Sequence, residues 1–579
     1  MQINRNIFFS EALLDFLTSR KIEYAVLSPG SRNTPLTFAA AHHKKLKTFS
    51  IIDERAAGFF ASGLARSTGK PVILNCTSGT AAAEYLPAVI ESFFQKIPLI
   101  IITADRPAKL RGTGANQTIY QNNIYGSHVI KAWDIAPPLP DARSVKKMAR
   151  VFHELAALID RGLEGPVHLN LQFDKPFEPD AITDTPTASE LNKLKKSLRI
   201  ADRKRKISPP AYKMSAALKK EINSAFHVFI FCGPDAVKSK EDSEYIARLC
   251  DKFDAPVLCD AFSGISKQHQ SRYTFQSFHL YADKFIDDIR PDIIFQFGNL
   301  PVSKAGEEIL AMKGVTRVIV NKDGKIRGEY GNKVFLCRSD IASFTKEVIR
   351  AVKNRRFFES GYDERINALE AAAETAKRTS LESFPFTEAE IIKVVAENCT
   401  FRNPLMISNS MPPRDFDYIS GLVGKQLNLY HNRGASGIDG IIASAAGIAA
   451  GSSSRTFLVI GDVSFFYDLT SLQIIKQSNL CLTIVLLNNG GGKIFDMLPV
   501  KRFPEMVKHY YHTPAGVNYR KLISALDIRY DNPKSIRDLT EILGRDFNGC
   551  NVIECKTSIK DTIRMRKVAE EEFFLNLFI

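Results

Sequence analysis

Residues 456–495 read TFLVIGDVSFFYDLTSLQIIKQSNLCLTIVLLNNGGGKIF, and the folding of this stretch decides the rest. Thr456 to Ile460 is a short apolar run between Arg455 and Gly461, the pattern of a strand buried in a parallel sheet. Asp468 to Gln477 reads as a helix, and Cys481 to Leu487 as a second buried strand ending in Asn488-Asn489-Gly490-Gly491-Gly492. A helical crossover lays its two strands side by side and parallel, so Asp462 and Asn489 leave the same carboxyl edge, where open α/β sheets hold ligands. A carboxylate, an amide oxygen and a bare glycine carbonyl make a hard oxygen set for Mg²⁺, which completes its octahedron with phosphate and water. The glycines let backbone approach a diphosphate with no Cβ in the way. Gly-Asp and Asn-Asn are each ordinary turn dipeptides. Their pairing after two buried strands is what points to a cation gripping a diphosphate.

Outward from this segment, strand and helix patterns alternate along the chain, which predicts an α/β protein of doubly wound parallel sheets. At 579 residues the chain exceeds what one core can serve, and it divides into three blocks. The first, residues 1–180, carries a helix at Asn6 to Ser19 and strands at Tyr24 to Leu27, Val72 to Asn75, Leu99 to Thr103 and Val167 to Leu171. A polar, lysine-rich linker over 181–213 interrupts the pattern. The second block, 214–353, has strands at Val228 to Cys232, Val257 to Cys259, Ile293 to Phe297, Val318 to Val320 and Val334 to Leu336. Its outline is that of a dinucleotide-binding domain, yet its first strand runs into Cys232-Gly233-Pro234-Asp235 with no GxGxxG, which argues against a nicotinamide or flavin. A charged helical connection over 354–383 leads to the third block, 384–579.

Composition narrows the function classes. With 45% hydrophobic and 24% charged residues the chain is globular. No apolar stretch is long enough to cross a bilayer, and the N-terminus lacks a cationic region followed by an apolar core, so a cytoplasmic location with no membrane partner is expected. Nine cysteines without a CxxC pair read as small buried hydrophobes in a reducing compartment. The net charge of +15 raises the question of nucleic acid, but no binding motif accompanies it and much of the charge falls in the linker. No nucleic-acid partner is expected, and the excess suits small polyanionic substrates equally well.

Loops of the first block emerge from strand ends and converge on one rim. Ser28-Pro29-Gly30-Ser31-Arg32-Asn33-Thr34-Pro35 follows the first strand and precedes a helix, where backbone amides and Arg32 can face an anion. Glu54 opens a helix rich in small residues (Ala57, Gly58, Ala61, Gly63), and a first-turn glutamate is commonly only a dipole partner. Thr77-Ser78-Gly79-Thr80, Asp105-Arg106-Pro107 and Gly114-Ala115-Asn116-Gln117 complete the rim.

Taken together, SPGSRNTPL from Ser28, DERAAGFFASGLA from Asp53, TSGTA from Thr77, TADRP from Thr103, GANQ from Gly114, NRGASGIDG from Asn432, GDVSFFYDL from Gly461 and NNGGGKIF from Asn488 resemble the 2-succinyl-5-enolpyruvyl-6-hydroxy-3-cyclohexene-1-carboxylate synthases of menaquinone biosynthesis. The resemblance covers the first and third blocks and, more loosely, the second. One position departs from the wider thiamine diphosphate motif: Val463 stands where glycine is usual. Several of the other motifs are absent from thiamine enzymes in general, which sets the chain apart from acetolactate synthase and pyruvate decarboxylase.

The resemblance implies a transferase that uses thiamine diphosphate and Mg²⁺, with Mn²⁺ as a substitute, to decarboxylate 2-oxoglutarate and add the remaining unit to isochorismate. Another thiamine diphosphate carboligase with a different acceptor is the nearest rival. It further implies that Glu54 activates the aminopyrimidine, with Arg32 and Gln117 as further catalytic groups, and that Asp462, Asn489 and the Gly491 carbonyl hold the metal. Ser78, Gly461, Ile438, Ile494 and Phe495 would contact the cofactor, Ile438 as the wedge that keeps it bent. The substrate carboxylates would be held by Ser31, Arg32, Arg106, Asn116, Gln117, Ser410, Arg414 and Arg433, with Leu498 a wall. Lys304 would be the second block's contribution, although Ala305 follows it where the family often has arginine. Family members build their sites between chains, which implies a homodimer at least and suggests a homotetramer.

Overall fold

The computed structural model describes residues 4–577 except 138–141, 182–186, 188, 190–211, 266–273, 286–289, 329–332, 353–361 and 453. Most of the linker expected over 181–213, and the start of the connection expected over 354–383, therefore lie outside the described residues. The helix Tyr362–Ser383 forms the rest of that connection.

Three six-stranded sheets carry the fold, and every strand pairing in them is parallel. The first contains β1 (Tyr24–Leu27), β2 (Lys47–Ser50), β3 (Val72–Cys76), β4 (Leu99–Asp105), β5 (Ala132–Ile135) and β6 (Val167–Gln172), in the order β2-β1-β3-β4-β6-β5. The second contains β7 (Val228–Cys232), β8 (Val257–Cys259), β9 (Thr274–Phe275), β10 (Ile293–Phe297), β11 (Thr316–Asn321) and β12 (Val334–Arg338), in the order β12-β11-β10-β7-β8-β9. The third contains β13 (Pro404–Ile407), β14 (Asn428–His431), β15 (Thr456–Gly461), β16 (Leu482–Asn488), β17 (Arg529–Asp531) and β18 (Cys550–Lys556), in the order β14-β13-β15-β16-β18-β17. The chain leaves neighbouring strands in opposite directions at β1/β3, β7/β10 and β13/β15, and such switch points open crevices at the carboxyl edge.

The expected strands all form, but β13, β14, β17 and β18 of the third sheet add to them, as do β2, β5 and β9. Of these additions, β2, β5 and β9 lie at or next to sheet edges and lack a continuous apolar run: β2 is Lys-Thr-Phe-Ser, of which only Phe49 is buried. The helix expected from Asp468 to Gln477 is a correction. Helix starts at Asp462 and runs to Tyr467, a 3-10 turn covers Leu469–Ser471, and a second helix spans Leu472–Gln477. Asp468 breaks it because its buried carboxylate takes hydrogen bonds from Ser471 Oγ at 2.9 Å and Ala443 N at 3.0 Å, an alternative to continuing the helix.

The central sheet has the dinucleotide-binding strand order, with a different turn chemistry. Its β7 is followed by the helix Lys240–Phe253, whose free N-terminal amides are already served by a capping box of Ser239 and Asp242.

The first and third sheets share an apolar core through the helices Glu54–Thr68 and Ile441–Gly451. The two backbones nearly touch. A Cβ on Gly63 would lie 2.0 Å from Ser444 O, and one on Gly447 2.0 Å from Phe60 O, so only glycine permits this approach. The other face of the first sheet closes over a core of its own, while the third sheet's second face merges with the core of the central sheet. Among the described residues no helix is long and apolar enough to cross a membrane. The nine cysteines are all free thiols, seven of them fully buried.

A candidate active site in two halves

One half lies at the β13/β15 switch point of the third sheet. In the β15/β16 ladder Gly461 is paired with Leu487, so Asp462 and Asn489 stand one step past the ends of adjacent strands. Glu388, Asn409, Ser410, Gly461, Asp462, Asn489, Gly491 and Ile494 are among the residues lining one cleft of about 50 Å³. Asp462 is buried, its Oδ1 accepting from Val463 N at 2.9 Å and its Oδ2 from Gly491 N at 2.7 Å. Burial raises its pKa, and the amides of Gly491, Val463 and Gly490 work against that rise. Val463 sits in a helical turn, a conformation that does not call for glycine.

The diphosphate-type loop is built by glycine. Gly490 has φ +82° and Gly491 φ +120°, and a Cβ on Gly491 would strike His512 O at 2.1 Å. The Gly491 carbonyl accepts from Lys493 N at 2.8 Å, which leaves it a second lone pair. Asn489 Oδ1 is buried and has no hydrogen-bond partner among the described residues, while its Nδ2 donates to Glu388 Oε1 at 2.7 Å. An orphaned buried acceptor is costly, and here it stands beside a buried carboxylate. This donor set fits a hard divalent cation.

Glu388 and Asn409 escape a reading of the sequence. Glu388 sits in the first turn of the helix Glu388–Asn398, indistinguishable in pattern from a dipole partner. Burial pushes its carboxyl up to about 7, with Asp415 adding to the rise. Asn409 follows β13 and ties down the loop that carries Arg433 and Ile438, donating to Asn432 O at 2.7 Å and Gly437 O at 2.6 Å. That loop is also held from the first block: the buried Glu91 accepts from Gly434 N and Ala435 N, both at 2.7 Å.

The other half lies at the β1/β3 switch point of the first sheet. Arg32 follows β1, Ser78 follows β3 and Arg106 follows β4. The Ser78 side chain is fully buried and its hydroxyl accepts from Arg106, while Gln117 Nε2 donates to Ser78 O at 2.9 Å. Arg32 donates to Phe173 O and stacks 4.7 Å over the Phe177 ring. Burial lowers the pKa of Arg32, and the nearby Arg106 lowers it further. Ser31, Asn116 and Gln117 are exposed on the same rim.

The arginines sort themselves by partner. Arg111 pairs with Asp105 and Asp134, Arg55 with Asp468, and Arg566 with Asp415. Arg32 and Arg106 have no ion pair among the described residues, nor have Arg414 and Arg433 in the other half. Arg414 is lowered by burial and by Arg433, and it donates to Ser410 O at 2.5 Å. Uncompensated guanidiniums at a cleft favour carboxylate ligands. Lys304 differs, being largely exposed and paired with Glu308 at 3.0 Å. Leu498 is 40% exposed, and Phe495 packs on Tyr511 at 4.7 Å.

Glu54 does not line the Asp462 cleft of its own chain. Asp53 caps its helix by accepting from Ala56 N at 3.0 Å, and Asp53 and Arg55 are tied to the third block through Thr470 at 3.0 Å and Asp468 at 3.1 Å. Between them the Glu54 carboxyl is half-buried and bonds no other side chain among the described residues. Burial raises its pKa. Among the described residues, none of the first block lines the Asp462 cleft.

Both ends of the chain match models of thiamine pyrophosphate enzymes, the N-terminal TPP binding domain over residues 8–124 and the C-terminal TPP binding domain over residues 423–555. Over nearly its full length the chain is similar to 2-succinyl-5-enolpyruvyl-6-hydroxy-3-cyclohexene-1-carboxylate synthases. That of Geobacillus kaustophilus is 32% identical, with 97% of each chain covered. That of Roseiflexus is 33% identical, again with 97% of each covered. This chain belongs to that synthase family. A solved structure of benzoylformate decarboxylase from Polynucleobacter necessarius superposes with a TM-score of 0.67 at 17% identity, covering 96% of this chain and 99% of that one. At that identity the likeness is one of fold alone.

Proposed function

We propose that the chain is a thiamine diphosphate-dependent carboligase that releases CO₂ from 2-oxoglutarate and adds the remaining four-carbon unit to isochorismate, giving 2-succinyl-5-enolpyruvyl-6-hydroxy-3-cyclohexene-1-carboxylate. The observation that carries this reading is the buried, partnerless Asn489 amide oxygen beside Asp462, set in a family whose members carry that name.

Asp462, Asn489 and the Gly491 carbonyl would hold Mg²⁺ or Mn²⁺, and Gly461, Ile438, Ile494 and Phe495 would shape the cofactor's bed. When bound, thiamine diphosphate supplies the electron sink for loss of CO₂. Glu54, raised by burial, would hold a proton at the aminopyrimidine nitrogen. Arg32, Arg106, Arg414 and Arg433 would fork onto substrate carboxylates, with Ser31, Asn116, Gln117 and Ser410 adding hydrogen bonds. Ser78 would act through Arg106, whose donor it accepts. Lys304, paired to Glu308 at the surface, would contribute least, and Leu498 would bound the chamber.

Because Glu54 does not line the Asp462 cleft of its own chain, the complete site would form between two copies, a dimer at least and in the family's manner a tetramer. The chain would divide into a pyrimidine-binding block at 1–180, a central block at 214–353 and a diphosphate-binding block at 384–579, working in the cytoplasm.

Purified protein with Mg²⁺, thiamine diphosphate and both substrates should evolve CO₂ and yield the product mass only when isochorismate is present. CO₂ release with transfer to another acceptor, and none to isochorismate, would assign a different carboligase. Glu54→Gln should keep cofactor binding and lower turnover by about 10²–10⁴-fold, the usual share of a proton-transfer group.

A further inference from the structure

We infer that Glu388 is the positioning residue that turns the Asn489 amide so that its oxygen, and not its nitrogen, faces the metal. This rests on the metal reading above and adds a role for a side chain that none of the recognised motifs contains. The two ends of an asparagine amide have nearly the same shape, and a cation accepts only one of them. What selects the end is the partner of the opposite end.

Glu388 supplies that partner. It is 1% exposed, and its Oε1 accepts from Asn489 Nδ2 at 2.7 Å and from Thr557 Oγ1 at 3.0 Å. A flipped amide would set Asn489 Oδ1 against this same oxygen, which already takes a donor from Thr557, so acceptor would face acceptor. The observed orientation therefore leaves Oδ1 as the buried end without a partner in the cleft. Glu388 is itself fixed. It begins the helix Glu388–Asn398, where the free amides favour a carboxylate. Behind it stands Asp415, which Arg566 holds at 2.6 Å.

The test measures metal affinity apart from turnover: Mn²⁺ binding followed by electron paramagnetic resonance at saturating thiamine diphosphate. Glu388→Ala should weaken Mn²⁺ binding by about 10–100-fold, the usual cost of losing an outer partner of a metal ligand, and kcat should recover at saturating metal. Glu388→Gln keeps an acceptor for Asn489 and Thr557 and should bind Mn²⁺ close to the wild type. In the Asn489→Asp background both ends of the side chain are oxygens, so adding Glu388→Ala should cost nothing further. If Glu388→Ala alone fails to fold, Glu388→Gln and the double variant carrying Asn489→Asp decide. A Gln variant as weak as Asp462→Ala, or an undiminished effect in the Asn489→Asp background, overturns the inference. So does a folded Ala variant with wild-type Mn²⁺ affinity. Loss of Mn²⁺ binding in Asp462→Ala with no change in Glu388→Ala sinks this inference alone, whereas wild-type protein that binds no Mn²⁺ sinks the metal reading with it.

Discussion

The first and third sheets have the same strand order, β2-β1-β3-β4-β6-β5 against β14-β13-β15-β16-β18-β17, and both open a crevice between their first and third strands. What they place there differs. The third sheet offers glycine backbone, the buried carboxylates of Asp462 and Glu388, one bare amide oxygen and, at its margin, Arg414 and Arg433. The first offers two unpaired guanidiniums, a serine and a glutamine, and on a neighbouring helix a half-buried glutamate. On the proposed function, identical topology would carry a cation-and-phosphate grip in one copy and, in the other, a proton holder with guanidiniums that share the substrate carboxylates with Arg414 and Arg433. Chemistry here lies in the loops, not the scaffold.

That division of labour can be broken one half at a time. The largest expected effect is in the third sheet: Asp462→Ala removes the only carboxylate that the proposed metal set contains. Mn²⁺ and thiamine diphosphate binding by calorimetry should weaken by more than about 100-fold, above the range for an outer-shell partner. A middle effect is expected from the first sheet. Arg106→Ala should leave cofactor affinity unchanged and raise the KM of one substrate by about 30-fold, about 2 kcal/mol, as for a hydrogen bond to a charged group. If Arg106→Ala instead releases cofactor, the separation of roles fails. The smallest belongs to the central block. Lys304→Ala, at an exposed ion pair, should change kcat/KM by about twofold, and a much larger change would show that Lys304 abandons Glu308 for substrate.

Much of this was legible in the chain because the deciding strands are buried on both faces. Thr456–Gly461 and Leu482–Asn488 are continuous apolar runs, and glycines and turn residues mark their ends. The Glu54 helix was readable from its small residues, whose purpose, contact with the helix Ile441–Gly451, only the structure supplies. Edge strands such as Lys47–Ser50 were not legible, since one buried side chain in four makes no pattern. Asp468 was misread as part of a helix because its partners, Arg55 and Ala443, are remote in sequence. Glu388 was invisible for the same reason: it meets Asn489 across 101 positions, and its local sequence is that of any helix start.

The central claim is that each working site joins the Glu54 edge of one copy to the Asp462 cleft of another. The direct test coexpresses Glu54→Gln and Asp462→Ala chains under separate affinity tags, purifies the mixed population, and compares its turnover with each inactive parent. A shared site leaves one intact site in every mixed dimer, so an equal mixture should regain about one quarter of wild-type activity through the two-fold pairing. Activity that stays at the level of the parents, with mixed dimers demonstrably present, would mean that both groups must come from one chain and would contradict the account.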